Sequence, residues 1–281
     1  ACIAQAALSP RLHRYRAMIE IERLEKTFTQ PGGEKVLALR GVDLTIPTGQ
    51  FVTVIGTNGS GKSTMLNAVA GSFLVDAGTI RIAGTDVTRQ SEDRRAALIG
   101  RVFQDPFKGT CPSMTVAENL RMAELRGLRR GLRVGLSRSA FERYHELLVG
   151  LKMRLEGRLK ASMGTLSGGQ RQAITLLMAT LRRPQLLLLD EHTAALDPRA
   201  ADQIINVTNQ IVGENSLTTL MVTHDMEQAL KQGDRTIMMH KGEVLADLSG
   251  DERKGLDPAD LVKRFAELKY TVEFSVASKP A

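Results

Sequence analysis

Gly56-Thr57-Asn58-Gly59-Ser60-Gly61-Lys62-Ser63 fits the pattern GxxxxGK(S/T). Just upstream, Phe51-Val52-Thr53-Val54-Ile55 is a short run of β-branched and apolar residues that predicts a buried strand. Just downstream, residues 63–70 have helix-forming composition and Gly71 closes them. Strand, glycine-rich loop and helix in that order are the context in which the pattern has a mechanism. Glycines leave room for backbone N–H groups to surround phosphates, and the helix start adds unpaired donors and a partial positive charge. Lys62 then reaches the β- and γ-phosphates as a point charge, the Ser63 hydroxyl ligates magnesium, and Thr64 supports the α-phosphate side. With glycine near 7% of residues, a chain of this length shows the pattern by chance on the order of one time in a hundred.

On the amino-terminal side, residues 19–28 and 36–46 are β-rich around Gln30-Pro31-Gly32-Gly33, which predicts an antiparallel hairpin. Residues 79–83 and 99–103 are further strand candidates. Between about 105 and 181 the chain turns basic and helical. There Thr115 and Glu118 fit a capping box, and Phe141, Tyr144, Leu147, Leu148 and Leu151 share one helical face. Strand character returns at 186–190, 217–223 and 235–239, separated by helix-like residues 199–212 and 225–231. This alternation argues for a parallel α/β core. Lys241-Gly242 predicts a last hairpin. Asp257-Pro258 starts a terminal helix on which Leu261, Val262, Phe265 and Leu268 are expected to face one way.

With 281 residues, 42% hydrophobic and 25% charged, the chain can bury one large core, and its composition excludes a disordered or fibrous architecture. Apolar runs such as 174–181 and 186–189 fall far short of the roughly 18–20 residues needed to cross a bilayer as a helix. Cys2 and Cys111, without CxxC spacing, form neither a disulfide framework nor a zinc site, which fits a reducing cytoplasm. Residues 1–17 read as a leader that carries Arg11, Arg14 and Arg16 but lacks the apolar core of a secretion signal. Met18 reads as the true start, an ordinary disordered leader being the other reading. The net charge of +7 is matched by residues 121–160 alone, with eleven Lys or Arg against four Glu. That stretch contains no nucleic-acid-reading module. It is expected to be a solvated basic face, or one turned toward an anionic membrane surface at about 1 kcal/mol per basic side chain.

Leu166-Ser167-Gly168-Gly169-Gln170 resembles the signature sequence of ABC ATPases. Other parts of that family's pattern stand in the expected order: Gln104 after a strand, Asp190 and Glu191 closing an apolar strand, Ala195-Leu196-Asp197, and His224 after a further strand. The resemblance covers roughly residues 19–249. It implies an α/β fold, a P-loop NTPase core of RecA-like type with an antiparallel β subdomain and an inserted α-helical subdomain at about 105–181. The ATPase domain would run over 18–250, followed by a terminal helix and tail at 251–281.

ATP and Mg2+ are the implied ligands. Ser167, Gly168, Gly169 and Gln170 open a helix with free backbone donors. In the family this turn meets the γ-phosphate held by the phosphate loop of another copy. The resemblance implies that Asp190 holds Mg2+ through its water shell and that Glu191 takes a proton from the attacking water. His224 would orient that water and contact the γ-phosphate, and Gln104 would bridge Mg2+ or water to the helical lobe. Asp197 would order the facing phosphate loop across the dimer. Phe28 stands where the family stacks an aromatic ring, commonly Tyr, on adenine. His192 departs from the family's usual Pro and leaves the charges intact.

The implied assembly is a homodimer, or a pair with a paralogous ATPase, beneath a separate permease at the cytoplasmic face of the inner membrane. A bacterial importer with a solute-binding protein is expected, its cargo an amino-acid-like or other small solute. Residues 105–114 lie where family members receive the permease's coupling helix. The alternative, a member acting on nucleic acid or the ribosome, is disfavoured. Translation-type members carry two cassettes and repair-type members insert long coiled coils, and this sequence has one cassette and neither extension.

Overall fold

A computed structural model describes residues 17–128 and 135–277, so the leader expected at 1–17 lies, Ala17 apart, outside the described residues. The chain opens with β1 (Ala17–Thr29) and β2 (Lys35–Pro47), joined at the predicted turn, where the Gly33 N–H donates to the Gln30 carbonyl at 3.0 Å. β3 (Phe51–Gly56) and α1 (Lys62–Ala70) flank the glycine-rich loop, and Gly71 closes α1 in the left-handed region. β4 (Ala77–Ile82) folds back on β1, and β5 (Thr85–Asp86) on β4. The expected hairpin is therefore half of a four-stranded antiparallel sheet in the order β2-β1-β4-β5.

α2 (Glu92–Arg95) and β6 (Ile99–Val102) come next. Three longer helices then intervene before the next strand: α3 (Val116–Glu124), α4 (Arg138–Gly150) and α5 (Gly168–Thr180). The Thr115–Glu118 capping box forms in full, its two reciprocal bonds fixing the start of α3. β7 (Leu186–Asp190), α6 (Pro198–Asn215), β8 (Thr218–Val222), α7 (Met226–Lys231), β9 (Arg235–His240), β10 (Glu243–Ser249) and α8 (Pro258–Ala277) complete the chain.

The second sheet runs β10-β9-β3-β8-β7-β6. Its strands pair in parallel from β9 to β6, and β10 is an antiparallel edge. Parallel neighbours require crossovers, so the loops leaving β3, β6, β7 and β8 all emerge at one edge of the sheet. The phosphate loop, Gln104, the Asp190–Glu191 pair and His224 follow those four strands.

Side-chain alternation in these strands divides the core. Leu186, Leu188, Leu220 and Val222 pack with Val52 and Val54 against α1 and the antiparallel sheet. Leu187, Leu189 and Met221 face the opposite layer, where Ile174 of α5, Ile204 of α6, and Tyr144 and Leu148 of α4 close over them. Each fully buried leucine contributes on the order of 2 kcal/mol, so this double-faced strand set anchors the loops at its edge. Phe141 and Leu147 pack against the same layer, as their spacing predicts.

α8 docks Leu261 and Phe265 onto Ile55 and Met238, with Leu268 alongside. Val262 differs from expectation: it is 55% exposed, because one residue of helix turns its side chain about 100° away from Leu261. No helix among the described residues is long and apolar enough to cross a membrane.

Candidate nucleotide site

The loop after β3 has its shape because two of its glycines have no room for a side chain. A Cβ on Gly56 would lie 2.3 Å from the Met239 carbonyl oxygen and 2.6 Å from Ser60 Oγ. Gly61, at φ +97°, caps α1, and a Cβ there would meet the Ala38 carbonyl at 2.7 Å. The loop encloses a cleft of about 230 Å³ lined by Asn58, Gly59, Ser60, Gly61, Lys62, Ser63, Thr64 and, from the strand next but one, Glu191. Lys62 is 5% exposed, and its ammonium donates to the carbonyls of Gly56 (2.8 Å) and Thr57 (3.0 Å). Desolvation pulls its pKa below the usual lysine value, against the opposing pull of Glu191 and Asp190. The charge is thus held inside the loop, poised over the cleft.

Two carboxylates at the end of β7 meet this loop in different environments. Asp190 lies beneath Ser63, whose hydroxyl is 3.4 Å from its Oδ1, and the Arg101 guanidinium is 4.0 Å from its Oδ2. Burial raises its pKa, and Arg101 works in the opposite direction. Glu191 has left the strand and sits at φ +42°, in the left-handed region. Its Oε2 accepts from Gln104 Nε2 at 3.1 Å, and His224 Nδ1 lies 3.3 Å from the same oxygen. Gln104, Glu191 and His224, three loops apart in sequence, thus converge on one oxygen.

His192, the departure from the family pattern, points the other way. It is fully buried, and its Nε2 lies 3.1 Å from Thr208 Oγ1 on α6. Thr208 already donates to the Ile204 carbonyl at 2.8 Å, so it accepts from His192, which fixes the Nε2–H tautomer. Burial pushes its pKa down to about 4. The unfolded chain, with a value near 6.5, then binds more protons than the native state between those two limits. Stability is expected to fall as pH drops from about 6.5 toward 4, by up to roughly 3 kcal/mol at 1.36 kcal/mol per unit. Denaturant midpoints across that window should show a shallower decline for His192→Gln.

The signature turn lies elsewhere. Ser167 caps α5, its hydroxyl accepting from the Gln170 N–H, while the Gln170 side chain accepts from the Ser167 N–H, both at 3.3 Å. Gly168 is exposed at this helix start, and Gly169 is packed so closely that a Cβ would lie 3.0 Å from the Ala200 Cβ. None of Ser167, Gly168, Gly169 and Gln170 lines the phosphate cleft. Asp197 is exposed and caps α6, accepting from the Ala200 N–H at 3.0 Å. Phe28, 38% exposed, packs edge-to-face on Phe73 with ring centroids 5.2 Å apart, beside the Lys26 ammonium.

Residues that the sequence reading passed over also serve the site. Arg101 binds Asn67 of α1, Ser72 and Glu92, and its guanidinium lies 4.5 Å from the Phe103 ring centre. A lone Arg inside the apolar strand Ile99-Gly100-Arg101-Val102 was the available signal. Gln228 links the β7 and β8 loops, donating to Thr193 Oγ1 (3.0 Å) and accepting from Thr223 Oγ1 (2.6 Å). No pattern in the sequence marks it.

A parallel sheet carrying this loop on an interior strand, with two carboxylates at the end of the strand next but one, defines a P-loop nucleoside triphosphatase. A family model described as ABC transporter matches residues 39–194. The tyrosine transport ATP-binding protein of Clostridioides difficile (strain R20291) is 43% identical over 248 residues, covering 88% of this chain and 98% of that protein. The lipoprotein-releasing system ATP-binding protein of Ruegeria sp. (strain TM1040) is 36% identical over 231 residues, covering 80% of this chain and 96% of that protein. Among solved structures, the ATP-binding cassette MJ0796, in a dimeric post-hydrolysis state bound to ADP and Pi, matches with a TM-score of 0.71. That match is at 29% identity and covers 83% of this chain and 98% of the other. The ADP conformation of MJ1267, an ATP-binding cassette of an ABC transporter, matches with a TM-score of 0.73 at 27% identity over 90% and 98%. The chain belongs to the ABC transporter family and is an ATPase of its ATP-binding subunit type.

Proposed function

We propose that two copies of this chain, or this chain and a paralogue, close head to tail around two ATP molecules and drive import of a small solute through a separate permease. The observation that carries this reading is the placement of the signature turn: its donors lie outside the phosphate cleft of their own chain. A second copy can present the same turn to the γ-phosphate, where free helix-start N–H groups and the Ser167 hydroxyl complete the anion site.

In this mechanism the 56–61 backbone and Lys62 cradle the β- and γ-phosphates, and Thr64 supports the α-phosphate side. Phe28 offers its ring to adenine. Ser63, Asp190 and Gln104 provide hard oxygen donors suited to Mg2+, and the 3.4 Å approach of Ser63 Oγ to Asp190 fits one small cation's shell. No cluster of three or more His, Cys, Asp or Glu that could hold a metal occurs among the described residues, so phosphate and water oxygens would complete the shell. When bound, Mg2+ neutralises charge on the phosphates. Glu191 takes the proton of the attacking water, held in place by Gln104, and His224 orients that water and contacts the γ-phosphate. Asp197 orders the facing phosphate loop. Hydrolysis removes the ligand that bridges the two copies, and they part.

The 43% identity to a tyrosine transport ATP-binding protein supports an amino-acid-like cargo, with a solute-binding protein and permease as partners and the chain at the cytoplasmic face of the membrane. Residues 105–114 would receive the permease. Purification of tagged protein from detergent-solubilised cells tests the partner: an integral membrane protein is expected in stoichiometric amount, and RNA or DNA in its place would contradict transport.

A further inference from the structure

We infer that Gln172, buried in the signature helix α5, is a positioning residue for hydrolysis: its side-chain amide joins the two backbone segments that carry Gln104 and Glu191. The inference rests on the roles proposed above for those two residues.

Gln172 is fully buried, and its Nε2 donates to the carbonyls of Phe103 (3.0 Å) and His192 (2.7 Å). Phe103 directly precedes Gln104, and His192 directly follows Glu191. An amide NH2 has two hydrogens, so both are used, and they hold the loops at the separation at which Gln104 Nε2 reaches Glu191 Oε2. The second loop is tied on its far side as well, through the His192 ring to Thr208 of α6.

Glu191 needs such support. A non-glycine residue at φ +42° persists only where its surroundings over-determine it. The Glu191 N–H donates to the Val222 carbonyl at 2.9 Å, the Glu191 carbonyl accepts from the Ala194 N–H at 2.9 Å, and the His192 carbonyl, one residue on, accepts from Gln172. These ties fix the backbone on both sides of the strained residue.

The polar side chains carry a cost of their own. Gln172 Oε1 and His192 Nδ1 are both buried without a hydrogen-bond partner among the described residues. An apolar residue of similar size would remove the Oε1 orphan but leave the Phe103 and His192 carbonyls without their donor, so what the amide adds is the tie between those two loops. Because Gln172 lies on the helix that Ser167 opens, displacement of the signature turn pulls on both catalytic loops together.

The test compares Gln172→Met, which keeps length and volume but removes both donations, with Thr208→Val, which removes the His192 acceptor from outside the site. For Gln172→Met the expected result is kcat lower by about tenfold or more, the loss that a misplacement of under an ångström produces. KM for ATP should stay within about twofold because the nucleotide contacts are untouched, and Tm should fall only modestly, through the donors lost at the Phe103 and His192 carbonyls, with the protein still folded at the assay temperature. Thr208→Val should lower kcat in the same direction by a smaller factor, again with KM unchanged. Wild-type kcat in both variants, or a loss matched by an equal loss of folded protein, overturns the inference. Glu191→Gln, assayed in parallel, separates the two levels. If it is inactive while Gln172→Met and Thr208→Val are normal, the role of Glu191 stands and the positioning role of Gln172 falls. If it turns over normally, the catalytic assignment fails, and this inference fails with it.

Discussion

Glu191→Gln is expected to reduce kcat by at least about a hundredfold while ATP affinity is retained, since a positioned general base contributes roughly 10²–10⁴-fold. The substitution keeps the shape and leaves an amide able to bond Gln104, so the geometry around the 3.1 Å contact survives. What is lost is the carboxylate that accepts the proton of water. Without hydrolysis the nucleotide that bridges two copies is not consumed, so an ATP-bound dimer should accumulate in size-exclusion chromatography with light scattering. Steady-state turnover measured beside that elution profile checks both halves. Near-normal turnover would remove Glu191 from its role, and loss of turnover without accumulation of dimer would place its effect in binding.

Lys62→Ala is expected to fail at the earlier step. The Lys62 ammonium is buried, bonded to two loop carbonyls and, among the described residues, the sole Lys or Arg lining the phosphate cleft. One charge-assisted contact is worth about 1.5–3 kcal/mol, so removal should weaken ATP binding at least about tenfold. Gly56 and Thr57 lose donors at the same time, which should cost about 1 kcal/mol of stability. Binding of a fluorescent ATP analogue and a thermal melt distinguish the two effects. Affinity within a fewfold of wild type would contradict the assigned contact.

The parts of the fold that were legible in the sequence are those governed by local physics. Continuous apolar or β-branched runs at 51–55 and 186–190 became buried strands because both faces of a parallel sheet are covered, and Thr115–Glu118 became a capping box because its two bonds are local. Pairing was not local. β4 joining β1 turned a predicted hairpin into a four-stranded sheet, and nothing in residues 77–82 names their partner. The same division holds at the site. Lys62, Asp190 and Glu191 carry recognisable patterns, whereas Arg101, Gln172 and Gln228 act through bonds to segments distant in sequence that no spacing encodes. His192 was visible as an anomaly, but its explanation, a neutral buried ring on Thr208, needed α6 in place.

In the proposed mechanism the phosphate loop and the signature turn each make half of an anion site, and their separation within one chain calls for a second copy. Mixing two defective chains tests this directly. In a Glu191→Gln background, Lys62→Ala disables the loop, and Gly168→Asp puts a repelling carboxylate on the signature helix. Neither variant alone should form an ATP-bound dimer. An equimolar mixture should, because the mixed dimer pairs an intact loop from one chain with an intact signature turn from the other. Recovery of dimer carrying one ATP is the predicted result; a mixture that binds and dimerises no better than the separate variants would contradict the shared site.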